Sequence, residues 1–504
     1  MTIKSYLAKI YAKIMAGRVY SWADKPYSAQ KHIFKELISK ARTTSFGKDH
    51  NFDQITSYAD FSRLVPIRDY EDIKPYIERV KSGEADVLWP GRPLYFAKTS
   101  GTTSGAKYIP ITPVSMPYHI NATKEALLLH IYHTKKASIV NGKMIFLQGS
   151  PVLKEVNGIK TGRLSGIAAH YVPNYLQKNR LPSWETNCIE DWETKVDAIV
   201  RETSDKDMRL IGGIPSWVQM YFEKLIEAKG KKVGEIFPNF KLFVFGGVNY
   251  EPYRKKMENL IGRKVDSIEL FPASEGFFAY QDMPNPTNNP NQGMLLLLNH
   301  GVFYEFVEAD KFFTANSQRL TIQDVVLGVN YVMIVSTNAG LWAYNIGDTI
   351  AFTSIKPFRI IVTGRIKHFI SAFGEHVIAK EVEQALQIAV KTGSVKINEF
   401  TVAPQVNPGL GLLPYHEWFI EFENEPEDFK KFTVAIDVAM QDQNSYYSDL
   451  RKGNILQELI IRKVVRNGFQ DYMKSIGKLG GQNKVARLSN DRKIADQLKI
   501  HKEK

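Results

Sequence analysis

One cysteine, Cys188, is present in 504 residues, so no intrachain disulfide can staple the fold and no cysteine-rich zinc centre can form. No apolar run approaches the ~18 residues of a membrane-spanning helix; Met294 to Leu298 is too short to suggest one. Lys4 stands where an export signal would begin, but Lys9 and Lys13 interrupt the apolar core that such a signal needs. These absences make a cytoplasmic location the expectation. Acidic residues are in the minority: 53 Asp and Glu against 66 Lys and Arg leave a formal charge of +13. Such a balance suits nucleic acid, an anionic membrane or anionic ligands. The C-terminal region is the most basic, with Arg462, Lys463, Arg466, Lys474, Lys478, Lys484, Arg487, Arg492 and Lys493. No nucleic-acid motif accompanies them, so a solvated face is the expected reading.

What is present is organised around Tyr95 to Thr112, YFAKTSGTTSGAKYIPIT. An extended run leads into Thr99 to Ala106, all Thr, Ser, Gly or Ala, and Lys107 opens a second extended run. Glycines let the backbone turn its N–H groups toward a polyphosphate, hydroxyls add short donors and a lysine adds a point charge. The spacing is not that of a Walker A loop, because three residues separate Gly101 from Gly105 and Ala106 precedes Lys107. A flexible surface loop is the alternative. It fits less well, because Tyr95, Phe96, Tyr108 and Ile109 frame the segment tightly.

So long a chain predicts more than one domain. Thr2 to about Arg42 reads as helical, with Tyr6, Ile10, Ile14 and Met15 on one apolar face and Ile33, Leu37 and Ile38 on another; a packed helical layer is the expected use, with membrane-surface binding as the alternative. Val114 to Ser138, Trp184 to Val200 and Ser216 to Ala228 read as helices. Lys143 to Leu147, Arg209 to Ile211 and Lys241 to Phe245 read as strands, the last ending at Gly246 and Gly247. This alternation predicts a largely parallel sheet covered on both faces, with ligands at the carboxyl ends of its strands. Ser267 to Tyr280, SIELFPASEGFFAY, carries Ala273, Ser274 and Glu275 into a turn closed by Gly276. A carboxylate there wants a cation, either a basic side chain or Mg2+ bridging phosphates. Antiparallel strands are expected over Val302 to Val307 and Tyr331 to Ser336, and GLWAYNIGDTI from Gly340 presents Asp348 just after Gly347. That aspartate suits a ribose diol, with an Asx turn as the competing use. Past Gly364 and Arg365 the pattern changes to a compact α+β module with helices expected at Ile378 to Val390, Glu427 to Gln441 and Asn454 to Val465. The loop from Gly477 then sets Lys484 on glycine-rich backbone.

TSGTTSG at Thr99, ASE at Ala273, YNIGD at Tyr344 and GR at Gly364, taken in order, resemble the adenylate-forming superfamily. GIPSW at Gly213, GGVNYEPYR at Gly246 and GQNKVARL at Gly481 narrow the resemblance to the Gretchen Hagen family of auxin-responsive acyl-acid amido synthetases. The resemblance spans nearly the whole chain. It implies an α/β fold with a large N-terminal domain of mixed sheets flanked by helices, residues 1–364, and a small mobile α+β domain, residues 365–504. It also implies ATP and Mg2+, a carboxylic acid, and an amino-acid acceptor, with no nucleic acid or membrane partner and a monomer or weak homodimer. By the same resemblance, Thr99, Ser100, Gly101, Thr102, Thr103, Ser104 and Lys107 lie about the phosphates and Gly246, Gly247, Ala273, Ser274 and Tyr344 about the nucleotide. Glu275 assists Mg2+, Asp348 takes the ribose, Arg365 sits at the hinge, and Lys484 is the candidate active-site lysine. Two positions depart from the family pattern: Asn345 replaces a common arginine and His376 a common lysine.

The chemistry is self-consistent. A carboxylate is a poor electrophile, ATP converts it to an acyl-adenylate, and an amine then expels AMP while domain closure excludes water. An acyl-CoA ligase shares the first step, and a non-catalytic nucleotide-binding module would share only the binding. Trp217 and Tyr304 are candidates equally for the acyl pocket and for the core.

Overall fold

In the computed structural model the chain forms two compact units. One comprises Met1–Tyr250, Met257–Ile346 and Ile350–Ile361, and the other Glu251–Lys256, Gly347–Thr349 and Val362–Lys504. The structure describes residues 2–99, 107–172, 177–247, 250–285, 289, 292–314, 317–366, 369–370, 377–391, 395–405, 408, 413–452, 456–480, 484–489 and 492–501. Sequence reading puts the division after Gly364. The second unit also draws in two short upstream pieces, which only pairing can assign: the Ile366 N–H donates to the Gly347 carbonyl at 2.7 Å.

The first unit opens with helices Ile3–Ala23 and Pro26–Ala41. The Thr2 side chain accepts from the Ser5 N–H at the first, and Pro26 begins the second, where a missing N–H costs nothing. The packed face of the first helix is not the expected one. Ser5, Ala12, Met15, Ala16, Val19 and Ala23 are buried, whereas Tyr6, Ile10 and Ile14 are exposed. Small side chains bring this helix close to Met116–Thr134, where Ala122, Ala126 and Leu129 complete the contact. The helix expected over Trp184 to Val200 is two, Trp184–Cys188 and Trp192–Thr203, because Asp191 caps the second by accepting from the Thr194 N–H.

Eleven of the described strands form one sheet. Arg180–Leu181, Lys143–Phe146, Met208–Gly212, Leu242–Gly246 and Asp266–Ala273 run parallel in that spatial order. The parallel expectation holds for this half alone. From Asp266–Ala273 onward the pairings to Gly276–Tyr280, Met294–Leu296 and Phe358–Arg365 are antiparallel, and the far edge pairs Val302–Glu308 with Asn330–Thr337. The two-residue turn between Ala273 and Gly276 forces the first reversal, since a parallel return needs a crossover of about a dozen residues. A second sheet orders Lys107–Ile111, Tyr95–Thr99, Ile159–Gly162 and Lys154–Val156. Its last hairpin turns at Asn157 and Gly158, both at positive φ (48° and 80°), the geometry for which Asn-Gly is favoured.

In the second unit, strands Lys396–Gln405 and Tyr415–Asn424 pair antiparallel, and Ile460–Lys463 joins the latter in parallel. Helices Ala379–Lys391 and Phe429–Gln443 pack with them around Val382, Phe400, Trp418, Ile420 and Ile436. The helix expected over Asn454 to Val465 is corrected by this strand. Its apolar spacing reads as helical, but β-branched Ile460 and Ile461 pair with Glu417 and Trp418, and that sheet contact overrides local periodicity.

Candidate active site

Within the first unit the parallel strands end together. Phe146 lies beside Gly212, Gly212 beside Val244, and Gly246 beside Leu270. Gly246 has no room for a side chain: a Cβ there would lie 2.4 Å from the Leu270 carbonyl oxygen. Gly247 follows at φ +83°, a conformation that favours glycine, and it is exposed. Both glycines therefore have a backbone reason to be glycine, and the turn they make leaves main chain, not side chain, at the strand end. On the neighbouring strand Ala273 pairs with Gly276, so Ser274 and Glu275 form a two-residue turn, all half-buried at the same end of the sheet as Gly246. Strand register thus brings Gly246, Gly247, Ala273, Ser274 and Glu275 to one end of the sheet, where ligands of such sheets bind.

Thr99 and Lys107 are cross-strand partners, the last pair of the hairpin Tyr95–Thr99 and Lys107–Ile111. The two extended runs around the Gly/Ser/Thr segment are thus strands. Ser100, Gly101, Thr102, Thr103 and Ser104 lie outside the described residues, as does His376. Tyr70 braces the base of this hairpin: its hydroxyl accepts from the Tyr108 N–H at 2.9 Å, and the Lys107 ammonium lies 5.6 Å from its ring centroid. Burial, opposed by the Tyr108 N–H, raises the Tyr70 pKa.

Tyr344 and Asn345 are buried in the strand Tyr344–Ile355, and Arg68 tethers them from outside the sheet. The Arg68 N–H donates to Ala343 O at 3.0 Å and the Asn345 N–H to Arg68 O at 2.8 Å. Trp217 and Tyr304 are also buried, and the Tyr304 hydroxyl donates to Leu297 O at 3.3 Å. This makes Tyr304 a core residue. Lys195, which sequence reading missed, is buried on helix Trp192–Thr203 and donates to Gln148 O at 3.1 Å and Asn187 O at 2.6 Å. Desolvation pulls its pKa down to about 8. No sequence signal marks it apart from the helix that carries it.

In the second unit Asp348 is half-buried between Gly347, at φ +84°, and buried Thr349, whose hydroxyl meets that of Thr363 at 2.8 Å. Arg365 closes strand Phe358–Arg365. Lys484 is exposed, and the chain just after it is pinned. Thr401 donates to Ala486 O at 2.6 Å, the Val402 N–H to Arg487 O at 2.9 Å, and the Ser489 N–H to Val402 O at 3.1 Å. Arg487 anchors this segment. Its guanidinium pairs with Glu399, lies 3.4 Å from Glu383, donates to the Tyr253 hydroxyl at 2.9 Å and sits over the Phe400 ring. Burial alone would lower its pKa, but Glu399, Tyr253 and Glu383 outweigh that and raise it. Burial and Glu399 in turn raise the Tyr253 pKa. The segments GGVNYEPYR and GQNKVARL, far apart in sequence, therefore meet through Tyr253 and Arg487. Sequence reading quoted both, left Tyr253 unremarked and placed Arg487 among the basic residues of a solvated face, which its 12% side-chain exposure corrects. Several nearby basic residues are likewise committed to acids: Arg462 and Arg492 to Glu417 at 2.7 and 2.8 Å, and Lys463 to Glu425 at 2.7 Å.

No cluster of three or more His, Cys, Asp or Glu able to hold a metal occurs among the described residues. One half-buried carboxylate, Glu275, fits Mg2+ that arrives on nucleotide phosphates, since this ion keeps several waters and takes one or two carboxylates.

Comparison with known proteins gives one consistent answer. The GH3 family N-terminal domain matches residues 16–187, the GH3 family central domain 295–365, and the GH3 family C-terminal domain 380–493. A jasmonoyl–L-amino acid synthetase of Nicotiana attenuata is 20% identical over 539 residues, spanning 91% of this chain and 90% of its own. Among solved structures, a GH3.15 acyl acid amido synthetase superposes with TM-score 0.79 at 15% identity over 96% of both chains. A 2-hydroxyisobutyryl-CoA ligase in a postadenylation state reaches 0.56 at 12% identity, over 96% of this chain and 90% of that one. At such identities these two likenesses concern the fold.

Proposed function

Because the chain belongs to the GH3 family, we propose that it is an ATP-dependent acyl-acid amido synthetase that joins a carboxylic acid to the amine of an amino acid. The observation that carries this reading is the run of N-terminal, central and C-terminal family domains in order from residue 16 to 493. A carboxylate oxygen attacks the α-phosphorus of ATP and pyrophosphate leaves, giving an acyl-adenylate. The neutral amine then attacks the acyl carbon, the amide bond forms and AMP departs with the bridging oxygen.

Each residue has a task in this scheme. The hairpin closed by Thr99 and Lys107 presents its loop, including Ser100, Gly101, Thr102, Thr103 and Ser104, to the phosphates, with backbone N–H groups and hydroxyls as donors. Main chain at Gly246 and Gly247 lies along the base, with Ala273, Ser274 and Tyr344 beside it. Asp348 accepts from the ribose hydroxyls. Glu275 would hold Mg2+, which when bound neutralises phosphate charge. Arg365 serves the hinge between a large adenylation domain, residues 1–364, and a small lid domain, residues 365–504. Lys484 supplies positive charge to the reacting phosphate, and Arg487 positions the segment that bears it. Closure of the lid excludes water that would hydrolyse the adenylate. This is a cytoplasmic enzyme, a monomer or weak homodimer, that needs no nucleic acid.

The test is ATP–pyrophosphate exchange across aryl, indolyl and aliphatic carboxylic acids, with each amino acid then added to the hits. Exchange with an acid followed by amide formation is expected. Exchange in which coenzyme A, and no amino acid, drives AMP release would make the chain a thioester ligase. Bound ATP with no exchange for any acid would make it a non-catalytic module.

A further inference from the structure

The amino-terminal helix Ile3–Ala23 has two apolar faces, and the fold uses one. Its inner face of small residues is packed, as described above. The opposite face is in solvent: Ile3, Leu7, Ile10 and Ile14 are 80%, 57%, 44% and 48% exposed. At 3.6 residues per turn this spacing sets them on one stripe, about 16 Å long. Tyr6 and Tyr11, both exposed, border it. Beyond them lie Lys4 on one side and Lys9 and Lys13 on the other, and Arg18 continues the tyrosine edge. The Lys124 ammonium adds a further charge 5.0 Å from the Tyr11 ring centroid. No Asp or Glu occurs from Thr2 to Ala23.

We propose that this face docks in the plane of an anionic lipid bilayer. An apolar stripe with tyrosines at its edges and lysines outside them matches the layers of a bilayer surface: acyl chains, interface, anionic headgroups. Charge selects this occupant over a second copy of the chain, whose two-fold docking would bring Lys4, Lys9 and Lys13 near their own equivalents. The helix is already folded and held by its inner face, so docking does not have to order it. No helix among the described residues is long and apolar enough to cross a membrane, and this one lies on the surface. Sequence reading favoured packing over membrane-surface binding for this helix, with Tyr6, Ile10 and Ile14 on the packed face. Their exposure removes that ground. The proposal is independent of the adenylation reading.

The test is flotation of the full chain with phosphatidylcholine vesicles containing or lacking a quarter phosphatidylserine, at 0.1 M salt. Binding is expected to the anionic vesicles only, and to weaken as salt rises. At about fivefold per lysine, replacing Lys4, Lys9 and Lys13 together by glutamine should lower partitioning about a hundredfold. Leu7→Ser with Ile10→Ser should abolish it, with the thermal melt of the solvent-facing variant unchanged. Failure to bind anionic vesicles, equal binding to both kinds, or undiminished binding of the serine variant would each overturn the proposal. So would a dimer that the serine variant dissociates while vesicles stay unbound, which would assign the face to a second copy.

Discussion

Replacing Arg487 by methionine tests whether the C-terminal segment is held as described. The substitution keeps much of the volume and removes the charge, the hydrogen bond to Tyr253 and the bond to Phe400 O at 3.3 Å. It leaves Glu399 and Glu383, whose side chains are 19% and 12% exposed, without their shared cation. Breaking a buried ion pair from one side costs about 3–5 kcal/mol, mainly because the remaining charge stays desolvated. Two carboxylates stranded together belong at the upper end of that range. Because the chain has two compact units, a single unfolding midpoint is a poor measure. Amide hydrogen exchange resolved over Lys396–Gln405 and Tyr415–Asn424, under conditions where opening limits the equilibrium and not the rate, reads the second unit directly. A loss of about 3–5 kcal/mol there, with strands of the first unit unchanged, is expected. Adding Glu399→Gln and Glu383→Gln should recover much of the loss. A cost under about 1 kcal/mol, or no recovery in the triple variant, would refute the argument from buried charge.

Glu275→Gln and Asp348→Ala should each slow pyrophosphate exchange by about 10–100-fold while the thermal melt stays put; parental exchange in both would remove them from the site. Lys484→Ala should lower turnover about 100-fold or more with ATP affinity largely kept, and unchanged kinetics would leave this exposed lysine as a solvated one. Burial lowers the His119 pKa to about 4 from the ordinary 6.5. Below pH 6.5 the unfolded chain therefore takes up a proton that the folded chain refuses, so stability falls between pH 6.5 and about 4 by on the order of 3 kcal/mol. His119→Leu should flatten that stretch of a urea-denaturation pH profile, and an unaltered slope would count against it. Gly246→Ala should cost about 1–3 kcal/mol through overlap with Leu270 O, read by chemical denaturation, with neutrality as the contrary result.

Local grammar was legible wherever it coincided with tertiary demand. Helix Ala379–Lys391, the strand pair Val302–Glu308 and Asn330–Thr337, and the hairpin around the Gly/Ser/Thr loop follow their sequence periodicity. The Asn157-Gly158 hairpin was equally available as a turn signal and went unread. Elsewhere the sequence was ambiguous by itself. The first helix is apolar on two faces, and which face is buried depends on the fit of alanines against Met116–Thr134, a property of the pair. Ile460–Lys463 has helical spacing and β-branched side chains, and the neighbouring strand decided between them.

The sequence by itself determined the family, through short motifs whose order survives any folding argument, and with it the candidate residues about the nucleotide. It determined too that only main chain is on offer at Gly246 and Gly247, since glycine has no side chain. Only tertiary structure decided what surrounds Arg487, because Tyr253, Glu383 and Glu399 are distant in sequence and a buried charge is stable only where the fold collects its partners. Only tertiary structure, likewise, left Ile3, Leu7, Ile10 and Ile14 facing solvent. Periodicity states that a helix has an apolar face, whereas burial depends on what the rest of the chain brings against it.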